Sequence, residues 1–115
     1  MVDKISSWKF SEDFAVENEV FRDARGRAEE LGVECITPAV GAHLALLASA
    51  LGAKAIVEAG TGTGVSGLWL LSGSSQAVLA TIDTETENQL VAKRAFTEAK
   101  IAANRTRVIL GRAID

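Results

Sequence analysis

The sequence predicts an α/β fold of the doubly wound type, in which parallel strands in the order 3-2-1 alternate with helices. Three observations predict it. Short apolar runs at residues 55–57, 78–82 and 106–110 lack the polar alternation of a strand with one wet face, which is typical of parallel strands. Segments with helical periodicity separate these runs, and the first run ends in a glycine-dense turn. Two more helical segments come before the first strand, so the elements form the first half of such a sheet, with the first strand central.

The two leading helices have recognisable ends. The first is predicted from Ser11, a suitable N-cap, to Leu31, with Gly32 as its stop. The second opens at Thr37-Pro38, since threonine caps well and proline suits the first helical turn, and it ends at Gly52. Its apolar stripe, of the kind that packs on a core, consists of Val40, Leu44, Leu47 and Leu51. The later helices are predicted at residues 65–72 and 85–100.

Composition excludes several classes of function. A formal net charge of −3 gives no electrostatic footprint for non-specific nucleic-acid binding. The single cysteine, Cys35, precludes an intramolecular disulfide, and one cysteine with one histidine cannot form a Cys/His zinc cluster. No apolar stretch nears the roughly 20 residues that span a bilayer, and no signal-peptide core follows the N-terminus. We therefore expect a cytoplasmic protein that makes no membrane contact.

The length predicts a single domain over residues 1–115. A chain of this size with 48% hydrophobic residues can bury one core and no more. Residues 1–10 carry Trp8 and Phe10 among polar neighbours without a sustained period. We expect them to form an N-terminal arm whose aromatic side chains dock on the same chain.

The turn after the first strand predicts a ligand-binding strand end. Glycines at 60, 62 and 64 allow the backbone to reverse from strand to helix close against a ligand. The amides that open the next helix then face the crevice. Residues 62–67 also match the G-x-G-x-x-G pattern of dinucleotide-binding proteins, so the turn alone does not choose between nucleotide ligands.

Glu58 favours a cationic ligand. A carboxylate two residues before the first glycine would repel a pyrophosphate and attract a positively charged head group. The alternative is that Glu58 is a strand-end residue turned to water. Because acidic residues are rarely placed in buried strands without a partner, a cationic adenosyl ligand fits better.

Asp83, at the carboxyl end of the second strand, is predicted to bind ribose. It lies about 20 residues beyond the glycine turn, where a carboxylate can accept both ribose hydroxyls. The alternative role is a helix cap. Thr84-Glu85-Thr86-Glu87 provides a capping box of its own, with Thr84 as the cap, which would leave Asp83 free for ribose. This site would serve adenosylmethionine and NAD equally.

Glu58-Ala59-Gly60-Thr61-Gly62-Thr63-Gly64 resembles the first motif of class I S-adenosylmethionine-dependent methyltransferases. The stretches 36–41, 64–73 and 81–83 are similar to the catechol O-methyltransferase-like family, especially its actinobacterial members. The resemblance implies a Rossmann-like methyltransferase sheet with S-adenosyl-L-methionine as cofactor. It also implies methyl transfer to a hydroxyl of a small molecule or modified nucleoside, assisted in the complete enzyme by a divalent cation such as Mg²⁺.

The resemblance assigns the cofactor contacts residue by residue. Glu58 would lie near the cationic amino-acid end, and Ser66 would hold the ligand's carboxylate unless it only caps backbone amides. Ile36 would touch the methionine end, although it could equally be ordinary core. The full set is Ile36, Glu58, Gly60, Thr61, Ser66 and Asp83, with Gly60 and Thr61 as the floor of the site.

In the family, the metal-binding and catalytic carboxylates lie on the fourth strand and beyond. No residue of this sequence is therefore assigned to catalysis or to a metal, and we expect the 115-residue chain alone to be inactive. An uncovered first strand would favour either a longer parent protein or a homodimer. Two alternatives remain: an NAD-binding oxidoreductase fragment, and an inactive cofactor-binding or dimerising remnant.

Overall fold

A computed structural model describes residues 15–114 of the chain. Within these residues two helices precede the first strand, two further helices connect the three strands, and one short 3-10 helix comes before the last strand. They are α1 (Glu19–Leu31), α2 (Pro38–Ala50), β1 (Ala55–Ala59), α3 (Val65–Ser72), β2 (Val78–Asp83), α4 (Thr86–Glu98), the 3-10 helix (Ala103–Arg105) and β3 (Thr106–Leu110). The arm predicted at residues 1–10, with Trp8 and Phe10, and the predicted cap Ser11 lie outside the described residues.

The three strands form one parallel sheet in the order β1-β2-β3, which confirms the predicted order and fold class. The register pairs Glu58 with Thr81 and Asp83 with Leu110. Because all strands run the same way, their carboxyl ends lie along one edge of the sheet. The end of β1 and the end of β2 therefore lie side by side.

The core lies on one face of the sheet. Leu79 of β2 is fully buried against α3 and α4, where it joins Leu68 and Phe96. The opposite face is open: Val57 in the middle of β1 is 76% exposed. The prediction that β1 is covered on both faces is wrong for residues 15–114, because in that range β1 is an edge strand and its outer face carries no helix.

The first helix begins later than predicted. Residues 15–17 are not helical, and α1 starts after Asn18, whose side chain accepts a hydrogen bond of 3.1 Å from the backbone N–H of Phe21. The side-chain oxygen satisfies an otherwise orphan amide of the first turn. The predicted end at Leu31 with Gly32 as C-cap is confirmed, with Gly32 in the left-handed conformation.

Helix α2 packs through small residues and not through its leucines. A Cβ on Gly73 at the end of α3 would lie 2.1 Å from the carbonyl oxygen of Ala45, so the backbones of α2 and α3 almost touch. The buried positions of α2 are Gly41 and Ala48. The predicted core stripe is wrong at most of its positions, since Val40, Leu47 and Leu51 are all exposed. Only small side chains fit where helices approach this closely.

None of the helices within residues 15–114 combines the length and the apolar character that a bilayer crossing requires.

Candidate functional site

An open cavity of about 290 Å³ lies at the carboxyl end of β1. The irregular segment 34–36 forms one wall, and the end of β1 with the glycine turn forms the floor. The start of α3, with Val65 and Ser66, closes the far side. The cavity therefore occupies the crevice where doubly wound folds bind ligands.

The glycine turn needs its glycines. Gly60, Gly62 and Gly64 have φ values of 90°, 55° and 96°, a region that side chains with a Cβ rarely adopt. The Gly60 amide donates to the carbonyl oxygen of Ile82 at 2.7 Å, which ties the turn to β2. No side chain caps α3 at Gly64, so the turn delivers the first amides of that helix to the crevice uncapped.

Glu58 accepts hydrogen bonds from two hydroxyl groups, one on each carboxylate oxygen, and a third hydroxyl supports one of these two. Ser66 Oγ makes a short hydrogen bond to Glu58 Oε2, and Thr81 Oγ1 donates to Glu58 Oε1 at 2.7 Å. Thr61 Oγ1 lies 2.8 Å from Thr81 Oγ1. Because the Thr81 proton goes to the carboxylate, Thr61 must be the donor in that pair. The Ser66 and Thr81 protons thus go to the Glu58 carboxylate, and the Thr61 proton goes to Thr81.

Burial raises the pKa of the Glu58 carboxyl above its ordinary value of 4.5, and the nearby charge of Asp83 raises it further. The hydrogen bonds from Ser66 and Thr81 oppose this shift by favouring the ionised form. The ionised carboxylate is therefore less well stabilised in the protein than it would be in water. A cation in the cavity would stabilise it, whereas a phosphate would add to the repulsion.

Asp83 is not free in the way predicted. Its Oδ2 accepts from the Gly62 amide and its Oδ1 accepts from the Glu85 amide, both at 2.9 Å. Helix α4 begins at Thr86 after Glu85, which makes no side-chain cap, so the predicted capping box at Thr84 does not form. Asp83 bonds the Glu85 amide instead because it ends β2 only two residues earlier. Each carboxylate oxygen still has a second lone pair for a ligand hydroxyl.

Known proteins of similar sequence carry names that point to methyl transfer. A Mycobacterium ulcerans protein named "Putative O-methyltransferase" is 58% identical over 98 residues, which cover 84% of this chain and 44% of that protein. Over these residues the chain is similar to part of proteins named "Putative O-methyltransferase". It spans about half the length of the curated relatives that it matches. No protein-family model matches it.

Solved structures share the fold of this chain. The O-methyltransferase TomG of Streptomyces achromogenes, in complex with SAM, superposes with a TM-score of 0.83 at 29% identity, over 93% of this chain and 49% of its own. A Corynebacterium glutamicum protein gives 0.85 at 27% identity, over 98% of this chain and 55% of its own. The three strands and their helices thus match part of the methyltransferase fold.

The structure brings the predicted contact residues together. Ile36, Glu58, Gly60, Thr61 and Ser66 all line the cavity. Asp83 adjoins it through its bond to Gly62. The predicted role of Ser66 changes in detail, since its hydroxyl proton is already donated to Glu58. Ser66 therefore offers a lone pair, and not a donor, to a ligand in the cavity.

Sequence reasoning missed two parts of the site. Thr81 lies two residues before Asp83 and so on the same face of β2, a strand periodicity that could have placed it beside Glu58. The second part is a polar cluster of Glu17, Arg25 and Trp69 behind segment 34–36. No local pattern signals it, because its members lie far apart in the sequence.

Within residues 15–114, no three side chains of histidine, cysteine, aspartate or glutamate come together as a metal site.

Proposed function

We propose that this chain is the cofactor-binding part of an S-adenosyl-L-methionine-dependent O-methyltransferase. The observation that carries the proposal is the Glu58 carboxylate, partly buried at the floor of the cavity, where hydroxyl donors favour its ionised form against the effect of burial. A sulfonium ligand with an ammonium group would supply a positively charged partner for this carboxylate. The complex of TomG with SAM supports the proposal from a relative of the same fold.

The residues fit such a ligand in three places. Glu58 attracts the cationic amino-acid end by its charge. Asp83 accepts the ribose hydroxyls with the lone pairs that Gly62 and Glu85 leave unused. Gly60 has open space where a Cβ would stand, so the ligand can approach the backbone of the turn. The bound cofactor would supply the methyl group; the chain's own residues bind and orient it.

The methyl acceptor that we propose for the parent enzyme is a hydroxyl of a small molecule or modified nucleoside. We assign none of the chemistry at the acceptor to this chain. The described residues offer no group of three side chains that could hold the Mg²⁺ that the family resemblance implies. We therefore expect the 115-residue chain to bind cofactor without transferring methyl groups.

The test is a direct binding comparison on the 115-residue chain. Isothermal titration with S-adenosylhomocysteine should show a single site, and the ligand should raise the thermal midpoint of unfolding. NADH at the same concentration should have no effect, since its pyrophosphate would lie against Glu58. Stabilisation by NADH alone would overturn the proposal in favour of a dinucleotide-binding fragment.

A further inference from the structure

One wall of the cavity has no secondary structure to hold it. Residues 33–37 connect α1 to α2 in an irregular conformation, and Cys35 and Ile36 of this segment line the cavity. The side chain of Arg25, on α1, contacts two atoms of this segment. Arg25 Nη1 donates to the carbonyl oxygen of Ile36 at 2.5 Å and contacts Cys35 Sγ at 3.4 Å. The position of this wall thus depends on where the guanidinium of Arg25 lies.

The Arg25 guanidinium is itself fixed by a buried carboxylate. Its Nε and Nη2 donate to the two carboxylate oxygens of Glu17 at 2.8 and 2.7 Å, a two-point contact that sets the plane of the group. Glu17 is only 8% exposed. Burial alone would raise the pKa of Glu17, but the hydrogen bonds from Arg25 and Trp69 and the positive charge of Arg25 outweigh it and lower that pKa.

Trp69 connects this pair to the opposite wall. Its indole N–H donates to Glu17 Oε2 at 2.8 Å, and it lies on α3, the helix that opens from the glycine turn. The ring packs edge-to-face on Phe21 at 4.9 Å. A Cβ on Gly41 would come within 2.2 Å of the ring, so the start of α2 also rests on it. Glu17, Arg25 and Trp69 therefore join both walls of the cavity.

We propose that Arg25 is a positioning residue for the cofactor: oriented by Glu17 and Trp69, it holds the Cys35–Ile36 wall at the distance from the glycine turn that the ligand requires. The inference rests on the proposed function above. The role needs arginine, because its planar fork binds Glu17 at two points and keeps Nη1 for the Ile36 carbonyl. A lysine carries its donors on a single nitrogen, so it cannot reproduce the two-point contact with Glu17 while it also holds the Ile36 carbonyl in the same position.

Arg25→Lys tests this role with two readouts. We expect the dissociation constant of S-adenosylhomocysteine, measured by titration calorimetry, to rise about tenfold, the loss typical of one hydrogen bond to a charged group. Cys35 is the only cysteine of the chain, so its alkylation rate reports the position of the wall. That rate should rise several-fold under conditions in which the protein stays folded, and the ligand should protect Cys35 in the wild type.

Two further variants complete the experiment. Arg94→Lys makes the same chemical change on the exposed side of α4, where Arg94 pairs with Glu98, and should alter neither readout. Glu17→Gln keeps the size of the side chain and removes its charge, so it carries the same test if Arg25→Lys does not fold. Folded Arg25→Lys and Glu17→Gln proteins with wild-type affinity and wild-type Cys35 reactivity would overturn the positioning role while the proposed function stands. A wild type that fails to bind S-adenosylhomocysteine would overturn both.

Discussion

At the scale of single residues, two glutamates respond to pH in opposite directions. The pKa of Glu17 is lowered by its partners, so its contribution to stability is present above about pH 4.5 and is lost as the pH falls through its folded value. The pKa of Glu58 is raised by burial, so the folded state binds its proton more tightly than the unfolded chain. Stability is therefore lost as the pH rises from about 4.5 through the raised pKa of Glu58. The chain keeps an acid at the cavity that costs it stability.

Glu58→Gln should separate stability from binding. Removing the desolvated charge should raise the free energy of unfolding at neutral pH and flatten its decrease above about pH 4.5. The same change should weaken S-adenosylhomocysteine binding at least about tenfold, since the ligand's ammonium loses its counter-charge. Urea unfolding at several pH values and titration calorimetry check the two effects. A variant that is less stable at neutral pH and binds normally would contradict the role given to Glu58.

Asp83→Asn should weaken ligand binding and loosen the glycine turn. Asparagine keeps one acceptor oxygen, and its amide N–H₂ would face the N–H of either Gly62 or Glu85. We expect the affinity for S-adenosylhomocysteine to fall about tenfold or more. Glu87→Gln, an exposed position in the first turn of α4, is the control and should bind as the wild type does. If both variants bind S-adenosylhomocysteine equally well, Asp83 does not contact the ligand.

At the scale of elements, the close approach of α2 and α3 explains which residues face inward. The contact is built on glycine and alanine, so the leucines of α2 lie outside it. The same contact positions the start of α3 and with it the glycine turn. Helix α1 reaches the turn separately, because Thr63 Oγ1 donates to the carbonyl oxygen of Ala24 at 2.8 Å. Two helices that precede the sheet in sequence thus support its ligand-binding edge.

Gly73→Ala and Gly26→Ala should shift stability in opposite directions. At Gly73 the added methyl would meet the backbone of Ala45 at 2.1 Å and force the helices apart, which should cost about 3 kcal/mol. At Gly26, inside α1, nothing lies within 4 Å of the added atom. There alanine should stabilise the protein by about 0.5–1 kcal/mol through helix propensity. Urea denaturation measures both; a neutral Gly73→Ala would contradict the close contact between α2 and α3.

At the scale of the whole molecule, residues 15–114 expose apolar side chains on β1 and around α2. Val57 points out from the open face of the sheet, Leu46 is exposed on α2 and Leu51 is exposed at its C-cap. An edge strand with an exposed apolar face favours association. We propose that two copies of the chain pair through the open face of β1. In relatives twice as long, the rest of the protein would have access to this face.

Self-association should be concentration-dependent and sensitive to one charge. Light scattering after size exclusion should give a mass above that of one chain for the wild type. Val57→Lys, which places a charge on the open face of the edge strand, should shift the population toward monomer without changing the affinity for S-adenosylhomocysteine. A wild type that remains monomeric at high concentration would rule out the homodimer.

The sequence by itself determined the strand order, the glycine turn and the carboxylates at the strand ends. These depend on local periodicity and on the conformational freedom of glycine, both of which can be read over a few neighbouring residues. Only the tertiary structure decided the partners of those carboxylates, the inward face of α2 and the support of the 34–36 wall. Trp69 and Glu17 are 52 positions apart, and the contact of Ala45 with Gly73 depends on how two helices cross. Such contacts arise from packing in three dimensions, for which no pattern along the chain is a sufficient guide.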